Sequence, residues 1–307
     1  MNKGKVAIII VNWNTYTYSK QCIDQLIKQS YSNVEILLVD NGSHDGSGEK
    51  LRNEYPELVF FQNVDNLGFT GGNNVGLNYA LEKDYEYVLL LNNDVYLEAD
   101  FLAKLVEAME VNPNLGAVQP LIYNHPEREK IWKAGGDFLT TFASTISSST
   151  LENHSGIFTT KWLTGCALMI RKEVLHKVGP LTPSYFAYFE DVDYSFRIKK
   201  AGYELAVVLD SKIYHIASGS TKSKIKQKEG FLSPSAHYLN VRNQFFLMRQ
   251  HKDLFSRFSA FPFQTAKMLG YMGYFLLRNR KKKLKAVWRG LLDGYRLDPT
   301  SPTPLKP

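Results

Sequence analysis

Three carboxylates stand within four residues at Glu190, Asp191 and Asp193, in the segment Phe189-Glu190-Asp191-Val192-Asp193. Tyr185, Phe186, Tyr188 and Tyr194 flank them. Like charges this close repel one another, and aromatic neighbours strip water from them. Both effects favour a raised pKa for at least one carboxylate, and such a group can serve as a general base toward a hydroxyl. The same charges also suit the first turn of a helix over Asp191–Ala201, where the macrodipole favours anions. Spacing alone does not choose among the three.

A second group follows the apolar run Tyr87–Leu91, in Asn92-Asn93-Asp94. Asp94 can hold a hard cation that in turn bridges a diphosphate, or it can cap a following helix. His215 stands in Tyr214-His215-Ile216. A lone histidine is usually structural, but an imidazole beside a carboxylate is a candidate metal ligand. Asp40 closes the run Val34–Asp40, and its carboxylate can accept a hydrogen bond from the imide N–H of uracil or thymine. Asn66-Leu67-Gly68-Phe69-Thr70-Gly71-Gly72-Asn73-Asn74 has the look of a loose phosphate loop, with glycines for close backbone approach and a helix start that favours anions. It lacks the lysine of a P-loop and the GxGxxG of a dinucleotide fold.

The elements that must position these groups read as an alternating series. Val6–Val11, Val34–Asp40, Leu58–Gln62, Tyr87–Leu91 and Gly116–Leu121 are strand patterns. Between them lie helical patterns: one with Ile23, Leu26 and Ile27 on its inner face, one at Gly71–Leu81 and one at Ala99–Val111. This alternation predicts right-handed βαβ units and a parallel, doubly wound sheet. Ligands bind such sheets at the carboxyl ends of the strands, where Asn12 and Asn14, Asp40 and Asn41, Asn66, and Asn93 and Asp94 fall. Ordinary turn chemistry also favours these residue types. Lys130–Thr160 weakens in pattern and gathers Ser and Thr, which predicts irregular strands and loops forming a wall of the site. Trp162–Ile170 is apolar, Lys172–Val178 helical, Glu204–Leu209 a strand. Lys222–Lys228 reads as a lysine-rich linker, and the rest is mostly helical. The resulting division is 1–220 for the catalytic unit and 221–307 for a helical extension.

The 307 residues are 44% hydrophobic and 22% charged, an ordinary globular composition. Cys22 and Cys166 form no ligand cluster and read as reduced core residues, which points to a cytoplasmic setting. No stretch approaches the roughly 20 apolar residues of a membrane-spanning helix, and VAIIIV is too short for a signal sequence. From Ser211 onward there are 19 Lys and Arg against 4 Asp and Glu, whereas the first 210 residues carry 18 against 26. The basic tail predicts an anionic partner. Leu254–Leu292 mixes apolar and aromatic residues with Arg278, Arg280, Lys281, Lys282, Lys283 and Lys285, which suits helices on an anionic membrane surface. A helical subdomain with a solvated basic face is the alternative. No recognition motif accompanies the charge, so nucleic acid is set aside.

In order, VAIIIVNWN (Val6–Asn14), LVDNGS (Leu38–Ser43), NLGFTGGNNVG (Asn66–Gly76), LNND (Leu91–Asp94), WLTGCALMIR (Trp162–Arg171), YFEDVDYSFR (Tyr188–Arg197) and Tyr214-His215 resemble the family 2 glycosyltransferases of GT-A fold, in particular the rhamnosyltransferase-like enzymes of bacterial cell-surface polysaccharide synthesis. YLNVRN (Tyr238–Asn243) is a weaker match. The resemblance implies an inverting, non-processive transfer of a sugar, rhamnose among the candidates, from a UDP- or dTDP-sugar to a glycan or lipid-linked glycan. The basic tail in turn suggests a peripheral position at the inner face of the cytoplasmic membrane. Asp191 would be the base, and Asp94 with His215 would hold Mg²⁺ or Mn²⁺. Asn12, Asn14, Asp40, Asn41, Asn66, Gly72, Asn73 and Asn93 would bind the nucleotide-sugar. Trp162, Gly165 and Glu190 would form the acceptor side. Asn92 stands where the family's metal motif often has Asp, and the Gln-x-x-Arg-Trp of processive synthases is absent. A nucleotidyltransferase would want a Gly-rich, basic loop where Asn12-Trp13-Asn14-Thr15 stands. A non-catalytic sugar-nucleotide-binding protein is suggested only by Asn92.

Overall fold

Val6-Ala7-Ile8-Ile9-Ile10-Val11 is apolar on both sides and mostly β-branched, so it is stable only as a strand covered on both faces. The computed structural model, which describes residues 4–147, 156–216, 232–302 and 306–307, places it as β1 (Val6–Asn12) at the centre of a sheet. There follow α1 (Tyr16–Leu26), β2 (Val34–Asp40), α2 (Ser47–Glu54), β3 (Val59–Gln62), α3 (Gly68–Leu81), β4 (Tyr87–Leu91), β5 (Val95–Leu97) and α4 (Phe101–Val111). Then come β6 (Leu115–Asn124), β7 (Ile131–Lys133), β8 (Gly136–Leu139), β9 (Ser144–Ser147), β10 (Ile157–Thr160), β11 (Ala167–Arg171), α5 (Lys172–Val178), α6 (Glu190–Lys200) and β12 (Glu204–His215). Three helices close the chain: α7 (Pro234–Gln250), α8 (Ala260–Leu277) and α9 (Lys281–Arg296). The lysine-rich segment Lys222–Lys228 lies outside the described residues.

Alternate side chains of β1 enter two different cores. Val6, Ile8 and Ile10 meet Cys22, Ile23 and Leu26 of α1 and Phe101 and Leu105 of α4. Ala7 and Ile9 meet Leu77 and Ala80 of α3, Val174 of α5 and Ile198 of α6. Each such Leu or Ile, once buried, contributes about 1.5–3 kcal/mol relative to exposure. α3 can lie this close only because Gly72 and Gly76 face the strand: a Cβ there would stand 2.8 Å from Val11 and 2.7 Å from Ile9. Ile27 does not join the inner face; it is exposed. The buried stripe of α1 runs through Ser19, Cys22 and Leu26, and Ile27 lies about a quarter-turn off its centre.

The sheet order is β10-β12-β6-β11-β4-β1-β2-β3. β1, β2, β3 and β4 are parallel, as expected. The all-parallel expectation fails beyond β4, where β11 lies antiparallel between β4 and β6. β11 is buried along Ala167–Ile170, and a continuous apolar run carries no record of chain direction. β12 runs on past the expected Leu209 to His215. It pairs with β6 in two registers, Leu205–Val208 and Lys212–His215, separated by a bulge. The second half also pairs with β5, His215 opposite Val95. The described residues of 130–160 form the short strands β7 to β10.

The closing helices pack on α6 and on β8 of the small two-stranded sheet. Phe245, Leu247 and Met248 of α7, Met268 and Phe275 of α8 and Val287 and Leu291 of α9 share one apolar cluster with Phe138, Trp162, Val192 and Phe196. Among the described residues no helix is long and apolar enough to cross a membrane.

Candidate active site

At the carboxyl ends of β1, β2 and β3, Asn12, Asp40 and Gln62 stand in one row, in register. Asn12 Nδ2 donates to Asp40 Oδ1 at 2.7 Å, and Gln62 Nε2 donates to Asp40 Oδ2 at 2.6 Å. The Ser43 amide and hydroxyl also donate to Asp40, at 3.1 and 2.6 Å. Asn12 Oδ1 accepts from Ser19 and Thr15, and Asn93 Nδ2 donates to the same two hydroxyl oxygens. One hydrogen-bond chain thus ties the ends of β4, β1, β2 and β3 together. Asp40 is 1% exposed and engaged by four donors. A base would reach it only by displacing one of them. Asn14, with φ 53°, is exposed and braces the turn at Ser43 and His44.

The loop expected at Asn66–Asn74 is the start of α3, and Asn66, Gly68, Phe69 and Asn73 border the cavity above it. α3 starts at Gly68, and three amides at its start have partners: Leu67 N donates to Asn41 Oδ1, Gly68 N to Asn66 Oδ1 and Thr70 N to the Phe186 carbonyl. Asn41 Nδ2 donates to Asn66 Oδ1 and the Gly68 carbonyl. Gly72 serves helix–sheet packing. Gly68, at φ +74°, is needed because a Cβ would stand 2.3 Å from the Phe186 carbonyl oxygen.

Above this floor lies a cavity of about 440 Å³, bordered by Asn41, Asn66, Asn73, Asn93 and Asp94 together with Trp13, Tyr18, Phe69 and Phe186. Ser235, Ala236 and Leu239 of α7 close one side. Of the sequence candidates, Asn12, Asn14, Asp40, Gly72, Trp162, Gly165, Glu190, Asp191 and His215 do not border it.

Asp94 and His215 meet at its edge, Oδ1 to Nε2 at 3.1 Å. The β12 bulge and the β5–β12 pairing bring them together, and Trp132 of β7 packs on the imidazole at 4.3 Å between ring centroids. Burial alone would lower the His215 pKa, but the Cys166 sulfur and the Asp94 carboxylate beside it push it up to about 10. His215 Nδ1 has no hydrogen-bond partner among the described residues. No group of three or more His, Cys, Asp or Glu there could hold a metal ion. A carboxylate with one imidazole fits a divalent cation that takes its remaining ligands from phosphate oxygens and water.

The three carboxylates of α6 take different environments. Asp193 Oδ2 accepts from Thr182 and Arg197, and Oδ1 lies 2.8 Å from His251 Nε2. Burial would raise its pKa, but His251 and Arg197 hold it below the usual carboxylate value. Glu190 is buried, and its Oε2 has no partner among the described residues. Burial first, then the Asp191 charge, pushes its pKa well above the ordinary range. Asp191 accepts from the Gly165 amide at 3.2 Å and from Val192. Burial raises its pKa against the pull of these two amides and of Lys133. Two residues stand between Asp191 and the cavity: Phe69 borders it and packs on Gly165, where a Cβ would stand 2.9 Å from its ring, and the Gly165 amide holds Asp191.

The segment entering α6 is strained, with positive φ at Phe186, Tyr188 and Phe189; each non-Gly residue so held costs about 1–3 kcal/mol. α7 holds it in place. Arg242, fully buried, donates through Nη2 to the carbonyls of Ser184 and Tyr185, and Asn243 Nδ2 donates to those of Tyr185, Ala187 and Tyr188. The only sequence signal for these two was the weak YLNVRN match. Nothing local announced Gln62, His251, Trp132 or Lys133, whose Nζ lies 5.3 Å from the Trp162 ring centre.

With this geometry in hand, the comparisons with known proteins are decisive on family. The Glycosyl transferase family 2 pattern matches residues 7–179, so the chain belongs to that family and is a glycosyltransferase. It is 32% identical over 103 residues to glycosyltransferase GlyA of Streptococcus pneumoniae, covering 33% of this chain and only 14% of GlyA. It is 24% identical over 237 residues to an N-acetylglucosaminyl-diphospho-decaprenol L-rhamnosyltransferase of Mycobacterium tuberculosis, covering 70% of this chain and 76% of that one. It is 24% identical over 267 residues to dTDP-rhamnosyl transferase RfbF of Shigella flexneri, covering 82% of each. In fold it resembles GalNAc-T7 with UDP, GalNAc and Mn²⁺ (TM-score 0.64, 17% identity, 81% of this chain and 48% of that one). It also resembles the mannosyltransferase PcManGT of Pyrobaculum calidifontis with GDP-Man and Mn²⁺ (TM-score 0.57, 16% identity, 96% and 74%). The fold is GT-A.

Proposed function

We propose that the protein is an inverting, non-processive transferase that moves a sugar, rhamnose being the leading candidate, from a UDP- or dTDP-sugar to a hydroxyl of a glycan or lipid-linked glycan. The observation that carries this reading is Asp94 on the edge of a cavity at the strand ends, with His215 directly behind it and Asp191 beyond Phe69 and Gly165. In this reading the cavity takes the nucleotide-sugar, with Asn41, Asn66, Asn73 and Asn93 on its walls. Asn12, Asn14 and Asp40 order the floor beneath it.

Asp94 and His215 would hold Mg²⁺ or Mn²⁺, which when bound neutralises the diphosphate of the leaving nucleotide. Asp191 accepts the acceptor hydroxyl proton. The freed oxygen pair forms the new bond to the anomeric carbon from the face opposite the nucleotide. The bond from that carbon to the diphosphate oxygen breaks, and its electron pair leaves with the nucleoside diphosphate. A raised pKa suits Asp191, because a base is most effective when its pKa approaches the working pH. Glu190, Gly165 and Trp162 shape the acceptor side. The M. tuberculosis relative's name specifies a lipid diphosphate acceptor, which favours the lipid-linked class. The basic extension, residues 221–307 in this division, would keep the enzyme peripheral at the inner face of the cytoplasmic membrane, in cell-surface polysaccharide synthesis.

The test is a screen of nucleotide-sugars for metal-dependent release of nucleoside diphosphate with candidate acceptors present, wild type against Asp191→Asn. Release from a UDP- or dTDP-sugar that Asp191→Asn abolishes is expected. Equal turnover by the variant overturns the base assignment, and no release from any donor overturns the reading.

A further inference from the structure

A surface helix ordinarily turns its apolar stripe inward and its polar residues outward. α8 does not. Its buried residues are Ala260, Gln264, Met268 and Phe275. At about 100° per residue, the opposite side carries Leu269, Gly270, Gly273 and Leu277, with the exposed Phe263 and Tyr274 on one flank. Leu277 is 87% exposed and the neighbouring Leu276 67%. A Cβ at Gly270 or Gly273 would find nothing within 4 Å. Lys267 is the single charged residue of this helix. Directly beyond its end stand Arg278, Arg280, Lys281, Lys282 and Lys285.

α9 behaves in the ordinary way. Val287, Gly290, Leu291 and Gly294 are buried, and a Cβ at Gly290 would stand 2.7 Å from the Tyr238 carbonyl of α7. α7 is itself buried along most of its length. The expectation that the whole of Leu254–Leu292 forms the surface contact therefore narrows to α8 and the turn after it.

We propose that the outward face of α8 and the basic turn into α9 are the contact with an anionic lipid bilayer. α8 lies in the plane of the headgroups, with Leu269, Tyr274, Leu276 and Leu277 at the acyl boundary. Arg278, Lys281, Lys282 and Lys285 engage anionic headgroups. Charge selects lipid over a second copy of this chain, since a two-fold contact through this face would set one cationic cluster against another. α7, which carries Ser235, Ala236 and Leu239 on the cavity wall, shares a core with α8, so the contact and the cavity belong to one packed unit. The inference deepens the peripheral placement proposed above and rests on that part alone.

Cosedimentation of the purified full chain with vesicles, without donor or acceptor, tests it. Vesicles of phosphatidylcholine mixed with phosphatidylglycerol should bind the chain, phosphatidylcholine alone should bind it far less, and added salt should release it. Leu276→Glu with Leu277→Glu should lower partitioning tenfold or more. Lys281→Glu with Lys282→Glu should do so as well, since each cation near the surface counts for roughly fivefold. All four residues are exposed, so thermal unfolding should be unchanged. Failure of the wild type to bind mixed vesicles overturns the proposal, as does unaltered binding by both variants. So does a wild-type dimer that the leucine variant turns into a monomer with vesicle binding intact. Vesicle binding without sugar transfer on any donor would overturn the function above and leave this proposal standing.

Discussion

Asp94 Oδ1 and His215 Nε2 lie 3.1 Å apart, although 121 residues separate them in the chain. Asp94 sits between β4 and β5, and His215 is the last residue of β12, so the sheet itself closes the pair. Two protein ligands leave most of a cation's shell to substrate and water. Mn²⁺ affinity of the free protein should therefore be modest and should rise when UDP or dTDP is added. His215→Ala should weaken Mn²⁺ binding, measured by calorimetry with nucleotide present, on the order of tenfold, and Asp94→Asn by more, since it removes the only charge. Unchanged Mn²⁺ affinity in both variants would exclude the pair as ligands.

The pH profile should carry the signature of Asp191. Its folded pKa is raised by burial, and a base must be ionised to act. Transfer should therefore fade, as pH falls, at a higher pH than an ordinary carboxylate would give. Lys133 holds that pKa down, so Lys133→Met should move the acidic limb of kcat/KM further up in pH while leaving the fold intact. Asp191→Asn should lower kcat by roughly 10²–10⁴ with donor KM little changed. A limb that stays put in Lys133→Met would show that another group titrates.

How much of this was legible depended on whether the signal was local. Val6–Val11, Val34–Asp40 and Tyr87–Leu91 declare themselves because a strand buried on both faces must be apolar throughout. The same uniformity hides direction, so β11 could not be read as antiparallel. The β12 bulge left no mark, and with it went the reason His215 reaches Asp94. The glycines of Asn66–Asn74 were legible as close approaches, and the neighbours that Gly72 and Gly68 approach are Val11 and the Phe186 carbonyl. Arg242 reads as a solvated helix residue until the Ser184 and Tyr185 carbonyls are seen above it.

Those carbonyls make Arg242 and Asn243 a stability prediction. Removing either side chain leaves buried acceptors unpaired, at about 1–3 kcal/mol for each group. Asn243→Ala removes the donor to the Ala187 and Tyr188 carbonyls, while the Tyr185 carbonyl still accepts from Arg242 and from the Ala187 amide. It should lower Tm markedly and also lower kcat, because the strained segment entering α6 would relax and carry Asp191 with it. Asn243→Asp keeps the shape but presents an acceptor to acceptors, and should be no better than alanine. A variant with full kcat would separate the segment's geometry from catalysis.

Asp193 should govern stability at low pH. Its folded pKa is depressed below its unfolded value by His251 and Arg197, against the opposing effect of burial. The protein then binds fewer protons folded than unfolded, so this contribution is complete above the ordinary carboxylate pKa. It is lost as pH falls through the depressed folded value. In Asp193→Asn the amide no longer titrates, so the acid limb of Tm against pH should flatten. The variant should also be less stable near neutrality, because Arg197 loses its buried counter-charge. His251→Gln keeps a donor toward Asp193 but a weaker one, so it should retain most of the neutral stability while Asp193 titrates at a higher pH. Parallel Tm curves for wild type and Asp193→Asn across the acid range would show that the carboxylate is not held charged by these partners.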